Sequence, residues 1–249
     1  MNRALAPSKR KSTRREKLRE TTLVEIRSVA RRLLVAEGSA AVTFNAIARE
    51  MGMSGPALYR YYDSQADLVE ALRVEFYGEL IGEMRRAGEQ EPTDRPGRRL
   101  LAISRALRAW AIAHRAEFSW LFASPAPVRG EPRCDPAASE TGQAFGKVFL
   151  EQIVAIWQTQ RFPIPNLEEM DPSLAAQLDA YSDKIGGCLP PEAAYVFLSC
   201  WMRLYGLLCM EILNQIGFAF SDLEPVFEEC LQELCGLLDI PYEAPSKTV

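Results

Sequence analysis

The chain has 249 residues, of which 48% are hydrophobic and 25% are charged, so it can bury a core and lies outside the composition range of disordered proteins. Its net charge of −4 hides an asymmetry. Residues 1–62 carry 13 Lys and Arg against 5 Asp and Glu, whereas residues 63–249 carry 16 against 28. A basic N-terminal region on an acidic remainder indicates that this region alone meets a polyanion.

Helical periodicity dominates the chain, and the first helix is predicted over residues 14–37, with Gly38 as its stop. Thr43 is the expected N-cap of a short second helix, which Gly52 ends. The residues between the two glycines are therefore predicted to contain this short second helix.

A third helix is predicted over residues 54–62, with Ser54 as a candidate N-cap and with Leu58 and Tyr62 turned inward. Two short helices joined by a glycine turn, with a longer helix in front, make a helix-turn-helix. The second short helix of such a unit enters the major groove of DNA, which is wide enough to admit it.

The exposed side of this third helix carries the residue types that DNA contact requires. Gly55 and Pro56 keep the start of the helix slim for close approach to base edges. Tyr59, Arg60 and Tyr61 offer hydroxyl and guanidinium donors to phosphates and bases.

A fourth helix begins at Asp63 or Ser64, and the Pro- and Gly-containing segment 89–99 is the expected domain boundary. Five further helices are predicted at roughly 98–123, 139–161, 171–186, 190–217 and 221–239, with a proline-rich loop at 124–136. The fold class is therefore all-α, with about nine helices. The predicted organisation is a basic disordered arm (1–19), a DNA-binding domain (20–80), a helical effector-binding and dimerisation domain (81–242) and a tail (243–249).

The cysteines and the single histidine, His114, predict neither a metal site nor a cofactor, because the six cysteines show no C-x-x-C spacing. We interpret all six as reduced thiols in a cytoplasmic protein. No G-x-S-x-G, glycine-rich phosphate loop or H-E-x-x-H is present, so an enzyme is not expected. The apolar run 193–210 contains only Arg203 as a charge, and we expect it to be buried in a bundle or a subunit interface rather than in a membrane.

The pattern T-x-x-x-I-A-x-x-x-G-x-S-x-x-x-L-Y-x-Y-Y, from Thr43 to Tyr62 and followed by A-D-L, resembles the TetR family of bacterial one-component regulators. The resemblance covers about residues 20–79. It implies a DNA-binding domain on an all-helical ligand-binding domain, in a cytoplasmic, nucleoid-associated homodimer. Members most often act as repressors that a small molecule releases.

The resemblance also implies which residues meet DNA. Phosphate contacts are expected from Thr43, Tyr59 and Tyr61, and base-edge or groove contacts from Asn45, Gly55, Pro56, Ala57 and Arg60, within a segment that includes Ser54. Gln65 departs from the family, which commonly has a lysine there, so binding is expected to be weaker and its salt dependence flatter by about one counterion. The basic arm, with Lys9, Arg10, Lys11, Arg14 and Arg15, either compensates by contacting DNA or stays solvated.

A second resemblance concerns segments 113–127 and 200–212, which look like the TetR C-terminal domain type known by a Trp-His-Gly motif. Trp201 and Gly206 match that motif, whereas Tyr205 replaces the histidine. A phenol must therefore take over whatever the histidine does.

Aromatic and polar side chains on the apolar helices predict the effector pocket. The expected pocket residues are Trp110, His114, Phe118, Phe149, Trp157, Tyr181, Trp201 and Tyr205. The polar candidates, which also include Arg203, favour a medium-sized, largely apolar effector with at least one polar or anionic group.

Helices 190–217 and 221–239 have more apolar surface than one subunit covers, and the family places its dimer interface there. Two DNA-binding domains on a two-fold axis would read a palindromic operator. Two alternatives stay open: a thiol-based redox sensor on the same scaffold, for which Cys230 and Cys235 are badly placed to bridge directly, and an architectural DNA-binding protein without an effector.

Overall fold

The computed structural model describes residues 14–122 and 140–245, and these residues are helical without any strand. The predicted all-α class is confirmed. The chain divides into two compact units, residues 1–73, here called the head, and residues 74–249, here called the body. Residues 1–13, 123–139 and 246–249 lie outside the described residues, and with them the predicted loop 124–136 and Cys134.

The head contains α1 (Arg14–Glu37), α2 (Phe44–Glu50), α3 (Gly55–Leu58) and the start of α4 (Gln65–Glu89). The predicted bounds of the first helix are confirmed. Residues 14–19, which we expected in a disordered arm, are instead the first turns of α1. Arginine, lysine, glutamate and leucine all have good helix propensity, so this stretch readily extends the helix.

The connections between these helices follow the predicted start and stop signals. Gly38 and Gly52 have φ angles of +86° and +65°, which residues with a side chain rarely adopt. The Thr43 hydroxyl accepts a hydrogen bond from the amide of Ala46 at 3.2 Å, so Thr43 caps α2 as predicted. The Ser64 hydroxyl accepts from the amide of Asp67 at 3.1 Å and caps α4 in the same way.

α3 is shorter than the predicted helix over 54–62. The amides of Arg60 and Tyr61 bond to carbonyls three residues back, so tight turns follow Leu58 instead of further α-helix. Ser54 occupies the N-cap position, but its side chain accepts no capping hydrogen bond. The aromatic residues after Leu58 therefore project from a turn rather than from a regular helix.

The body contains the rest of α4 and six further helices in the described part of the chain: α5 (Pro96–Ala113), α6 (Arg115–Phe122), α7 (Glu140–Gln160), α8 (Pro172–Lys184), α9 (Pro191–Ile212) and α10 (Glu224–Leu237). The single helix predicted over 98–123 is wrong, because His114, with φ −127° and ψ 52°, separates α5 from α6. The helix predicted over 190–217 ends at Ile212, and Asn214 follows in the left-handed region at φ +53°.

Among the described residues, only α9 is long and apolar enough to span a membrane by length and composition. A core helix of a bundle passes the same test. Buried residues along α9 include Ala193, Phe197, Leu204 and Leu208, which pack against neighbouring helices of the body.

Candidate nucleic-acid interface and effector cavity

Tyr59 is the most prominent side chain of the predicted DNA-contacting segment. Its side chain is 59% exposed, although it is aromatic. Its ring lies edge-on against Phe44 of α2, with the ring centroids 4.9 Å apart. One face of the phenol is thus fixed by packing, while its polar end is left to meet a partner outside the head.

Gly55 brings α3 close to α2. A Cβ atom at this position would lie 3.0 Å from the Oδ1 atom of Asn45, closer than real Cβ atoms normally approach a neighbour. The glycine that we assigned to close approach toward base edges therefore has an internal reason as well. It leaves room for the Asn45 side chain on the exposed side of α2.

The inward-facing residues hold this surface in place, as predicted. Leu58 is fully buried and Tyr62 nearly so. The Nη1 atom of Arg27 on α1 donates to the Tyr62 hydroxyl at 3.4 Å. The end of α3 is therefore attached to α1 by both packing and a hydrogen bond.

Gln65, the departure from the family pattern, is bound within the head. Its Nε2 atom donates to the carbonyl oxygen of Val42 at 3.1 Å. One amide hydrogen remains for a phosphate, but the residue supplies no charge.

None of the ten residues predicted to contact DNA is buried. Six of them are exposed, namely Asn45, Ser54, Pro56, Tyr59, Arg60 and Gln65. The other four are half-buried, namely Thr43, Gly55, Ala57 and Tyr61. All ten thus remain open to contact from outside the head.

The body contains an apolar cavity between α5, α7, α9 and α10, with about 430 Å³ of space when its mouth is included. Its lining is almost entirely hydrocarbon. The lining residues are Leu100, Leu101, Ser104, Phe149, Ile153, Phe197, Cys200, Trp201, Leu204, Leu231, Leu234, Cys235 and Leu238. Such a lining suits a small apolar molecule.

Two of the eight residues predicted for the effector pocket, Phe149 and Trp201, line this cavity. Trp110, Phe118 and Trp157 are buried in the body without lining it. Half-exposed His114 and Tyr181, together with Tyr205, also lie outside the lining. Six of the eleven missed residues are leucines of helical stripes, which carry no local signal that separates a cavity wall from a filled core.

The few polar groups at the cavity wall are uncharged. The Ser104 hydroxyl donates to the carbonyl of Leu100 at 2.9 Å and is satisfied within its own helix. Burial raises the pKa of the Cys200 thiol to about 12 and that of the Cys235 thiol to about 11, so both stay protonated at neutral pH. The cavity therefore offers no ionised partner to a ligand.

Tyr205 links the cavity wall to α6. Its ring stacks on Trp201, with centroids 5.2 Å apart and an interplanar angle of 21°. Its hydroxyl donates to the carbonyl of Phe122 at 3.2 Å, and burial raises the pKa of this phenol. The phenol that replaces the family histidine is thus a neutral donor that holds the C-terminal end of α6.

Further aromatic contacts continue from this wall to α4. Phe145 lies 5.5 Å from Trp201 and 5.8 Å from Tyr77, measured between ring centroids. Tyr77 belongs to the part of α4 within the body and is almost fully buried. A row of rings therefore joins the cavity to α4.

A buried ion pair stabilises another part of the body. Arg108 on α5 makes two hydrogen bonds to Glu211 on α9, at 2.9 and 2.8 Å, and also pairs with Glu224 of α10. Its guanidinium carbon lies 4.9 Å from the centre of the Phe227 ring. These contacts fasten three helices of the body at one point.

In the part of the chain that the structure describes, no group of three or more His, Cys, Asp or Glu side chains is arranged to hold a metal ion.

Comparison with known families gives a match for each unit. Residues 26–72 match the family described as bacterial regulatory proteins, tetR family. Residues 100–234 match the family described as tetracyclin repressor-like, C-terminal domain. The two matches together cover the helix-turn-helix and most of the residues that line the cavity.

Individual proteins agree with these family matches. The HTH-type transcriptional regulator Rv1816 of Mycobacterium tuberculosis is 35% identical over 207 residues, which cover 82% of this chain and 86% of the relative. The solved regulatory protein SCO4313 is 30% identical, with a TM-score of 0.63 over 90% of this chain and 100% of its own. RolR, solved in complex with the ligand resorcinol, is 14% identical, with a TM-score of 0.54 over 93% of this chain and 100% of its own, a likeness of fold alone.

Proposed function

Since the chain belongs to the TetR family of bacterial transcriptional regulators, we propose that it is a repressor that binds a palindromic operator as a homodimer and leaves it on binding a small, uncharged apolar molecule. Its family consists of DNA-binding regulators rather than enzymes. The observation that carries the ligand half of the proposal is the apolar cavity.

The exposed residues of the turn after α3 support operator binding. Tyr59 and Arg60 are exposed beside the half-buried Tyr61, in a head with an excess of basic residues. Asn45 adds an amide that is able to pair with a base edge. Phosphate donors and base-reading groups are thus present in the same helix-turn-helix.

Exposed apolar surface on α9 supports the homodimer. Met202 and Met210 lie about two turns apart on this helix and are both exposed. Phe218, in the segment after α9, is 88% exposed, and Phe220 is exposed as well. Burying such side chains against the same surface of a second copy would stabilise a dimer.

The cavity lining narrows the effector to an uncharged molecule. The sequence led us to expect an effector with a polar or anionic group, but His114, Tyr181, Arg203 and Tyr205 do not line the cavity. Burying a charged group of the ligand in this cavity without an ionised partner would cost several kcal/mol of binding free energy in desolvation. RolR, a protein of similar fold that was solved with the small aromatic ligand resorcinol, is consistent with an effector of this kind.

The redox alternative finds no support at the two thiols of the cavity wall. Thiolates are the reactive form of cysteine, and the raised pKa values of Cys200 and Cys235 keep both in the neutral form. The architectural alternative predicts weak sequence preference and no release by a ligand.

The proposal is tested by selecting bound duplexes from random DNA at two salt concentrations and then titrating the selected complex with neutral and anionic apolar compounds. We expect one enriched palindrome, and release by neutral compounds only. Binding without enrichment would support the architectural alternative, whereas release by anionic compounds alone would overturn the assignment of the effector.

A matched variant links release to the cavity. Leu234→Phe adds an aromatic ring to the wall and is expected to raise the concentration needed for release at least about tenfold, because the ring occupies the ligand's volume. Leu174→Phe enlarges an exposed leucine outside the cavity and should leave release unchanged.

A further inference from the structure

Arg19 on α1 lies beside the DNA-reading segment without being part of it. Its guanidinium carbon is 6.0 Å from the centre of the ring of Tyr61, which lies in the turn that follows α3. The side chain is exposed, and in the described part of the chain it has no ion-pair partner. A guanidinium that stacks on a ring keeps its N–H groups at the edge, where they remain able to donate.

We propose that Arg19 binds a DNA phosphate beside the site of α3 and supplies the positive charge that Gln65 lacks. Tyr61 positions the guanidinium, and α1 carries it to the edge of the recognition surface. The inference rests on the proposed use of α3 as the DNA face, and it adds a contact outside the helix-turn-helix.

The position of Gln65 explains why such a charge is needed. Its amide is bonded to the carbonyl of Val42, so it contributes at most one neutral donor to a phosphate. A neutral donor releases no condensed counterion, whereas an arginine that neutralises a phosphate does. Arg19 therefore contributes a salt-dependent part of binding that the start of α4 does not provide.

The other arginines of α1 with described contacts are engaged elsewhere. Arg27 donates to the Tyr62 hydroxyl and holds the inner side of the head. Arg32 lies 3.8 Å from Glu50, and its position is about 140° around the helix from Arg19. Arg32 is thus a control of equal charge that faces another direction.

The test measures the dissociation constant for duplex DNA over a range of salt concentrations, with Arg19→Ala compared with Arg32→Ala. Arg19→Ala should reduce the steepness of log K against log salt by about 0.9. The ratio of its dissociation constant to that of the wild type should therefore be about eightfold larger at 0.1 M salt than at 1 M. Arg32→Ala should leave the slope unchanged. An equal loss of slope in both variants would mean a general effect of net charge and would overturn the proposal.

A third variant separates this inference from the proposed function. Arg60→Ala removes a predicted DNA contact of the turn after α3. If Arg60→Ala weakens binding and Arg19→Ala does not, the Arg19 contact is overturned while the DNA face stands. If neither variant changes binding, the assignment of α3 to DNA fails as well.

The positioning role of Tyr61 has its own readout. In a double-mutant cycle, Arg19→Ala should cost less in a Tyr61→Leu background than in the wild type, because the ring no longer orients the guanidinium. An effect of the same size in both backgrounds would show that Arg19 acts without Tyr61.

Discussion

The head exposes the aromatic residue Tyr59, which we assign to DNA contact, whereas the body buries most of its aromatic residues. Tyr59 stands 59% exposed on the head, while Tyr77 in the body is 1% exposed and is surrounded by other rings. A surface that meets DNA needs donors that water can reach, since phosphates and base edges replace that water. A cavity for an apolar ligand needs a dry wall, and its aromatic residues then serve packing.

The same contrast holds for charge. Arg19 and Arg60 in the head are exposed, whereas Arg108 in the body is buried and paired with two glutamates. An exposed arginine attracts DNA over a long range, and salt weakens that attraction. A buried ion pair contributes to the stability of the fold, and the loss of one partner leaves an uncompensated buried charge. Substitutions in the head should therefore change DNA binding, whereas substitutions at the buried pair should change the free energy of unfolding.

The largest expected effect is on the stability of the body. Glu211→Ala leaves the Arg108 guanidinium with only the partly exposed Glu224, so we expect a loss of about 3–5 kcal/mol in the free energy of unfolding. Urea unfolding followed by tryptophan fluorescence reports on the body alone, because all four tryptophans lie there. Glu233→Ala, at an exposed position of the same unit, should change little, and an equal loss there would contradict the role of the buried pair.

The next effect concerns DNA reading and leaves stability unchanged. Arg60→Ala removes an exposed guanidinium from the turn after α3 and should cost about 1–3 kcal/mol of operator binding, with relaxed preference at one base position. Competition with operator variants measures both quantities. A uniform loss across all sequences would instead identify Arg60 as a phosphate contact.

A smaller effect is expected where the cavity wall meets α6. Tyr205→Phe keeps the ring on Trp201 but removes the hydrogen bond to the Phe122 carbonyl, so the body should lose about 0.5–1.5 kcal/mol in the same urea experiment. Tyr205→His tests whether an imidazole restores that bond. A Tyr205→Phe variant as stable as the wild type would show that water satisfies the carbonyl equally well.

The smallest change restores the family lysine in the head. Gln65→Lys removes the hydrogen bond from the Gln65 side-chain amide to the Val42 carbonyl and adds a charge at the start of α4. We expect the slope of log K against log salt to become steeper by about 0.9, with operator preference unchanged. An unchanged slope would mean that no phosphate approaches this position.

Much of the head was predictable because its determinants are local. Thr43, Gly38 and Gly52 act through their own backbone and nearest neighbours, and each behaves in the structure as the sequence indicated. The extent of α3 was not predictable, because Tyr59, Arg60 and Tyr61 are compatible with a helix. Their turn conformation accompanies the packing of Tyr59 on Phe44 and of Tyr62 beside Arg27.

The position and lining of the apolar cavity were much harder to predict from the sequence than the head. The sequence analysis assigned aromatic and polar residues such as Trp110 and His114 to the pocket, yet leucines and two cysteines make most of the cavity wall. The contact between Arg108 and Glu211 joins residues 103 positions apart, and no spacing rule connects them. The break at His114 likewise depends on how α5 and α6 pack.

The sequence by itself determined the helical class, the helix-turn-helix and the family, because caps, glycine turns and helical periodicity act over a few residues. Only the tertiary structure decided where the cavity lies, what Tyr205 bonds to, and that Arg19 rests on Tyr61. Those features depend on which helix faces pack together, and packing joins residues that are far apart along the chain.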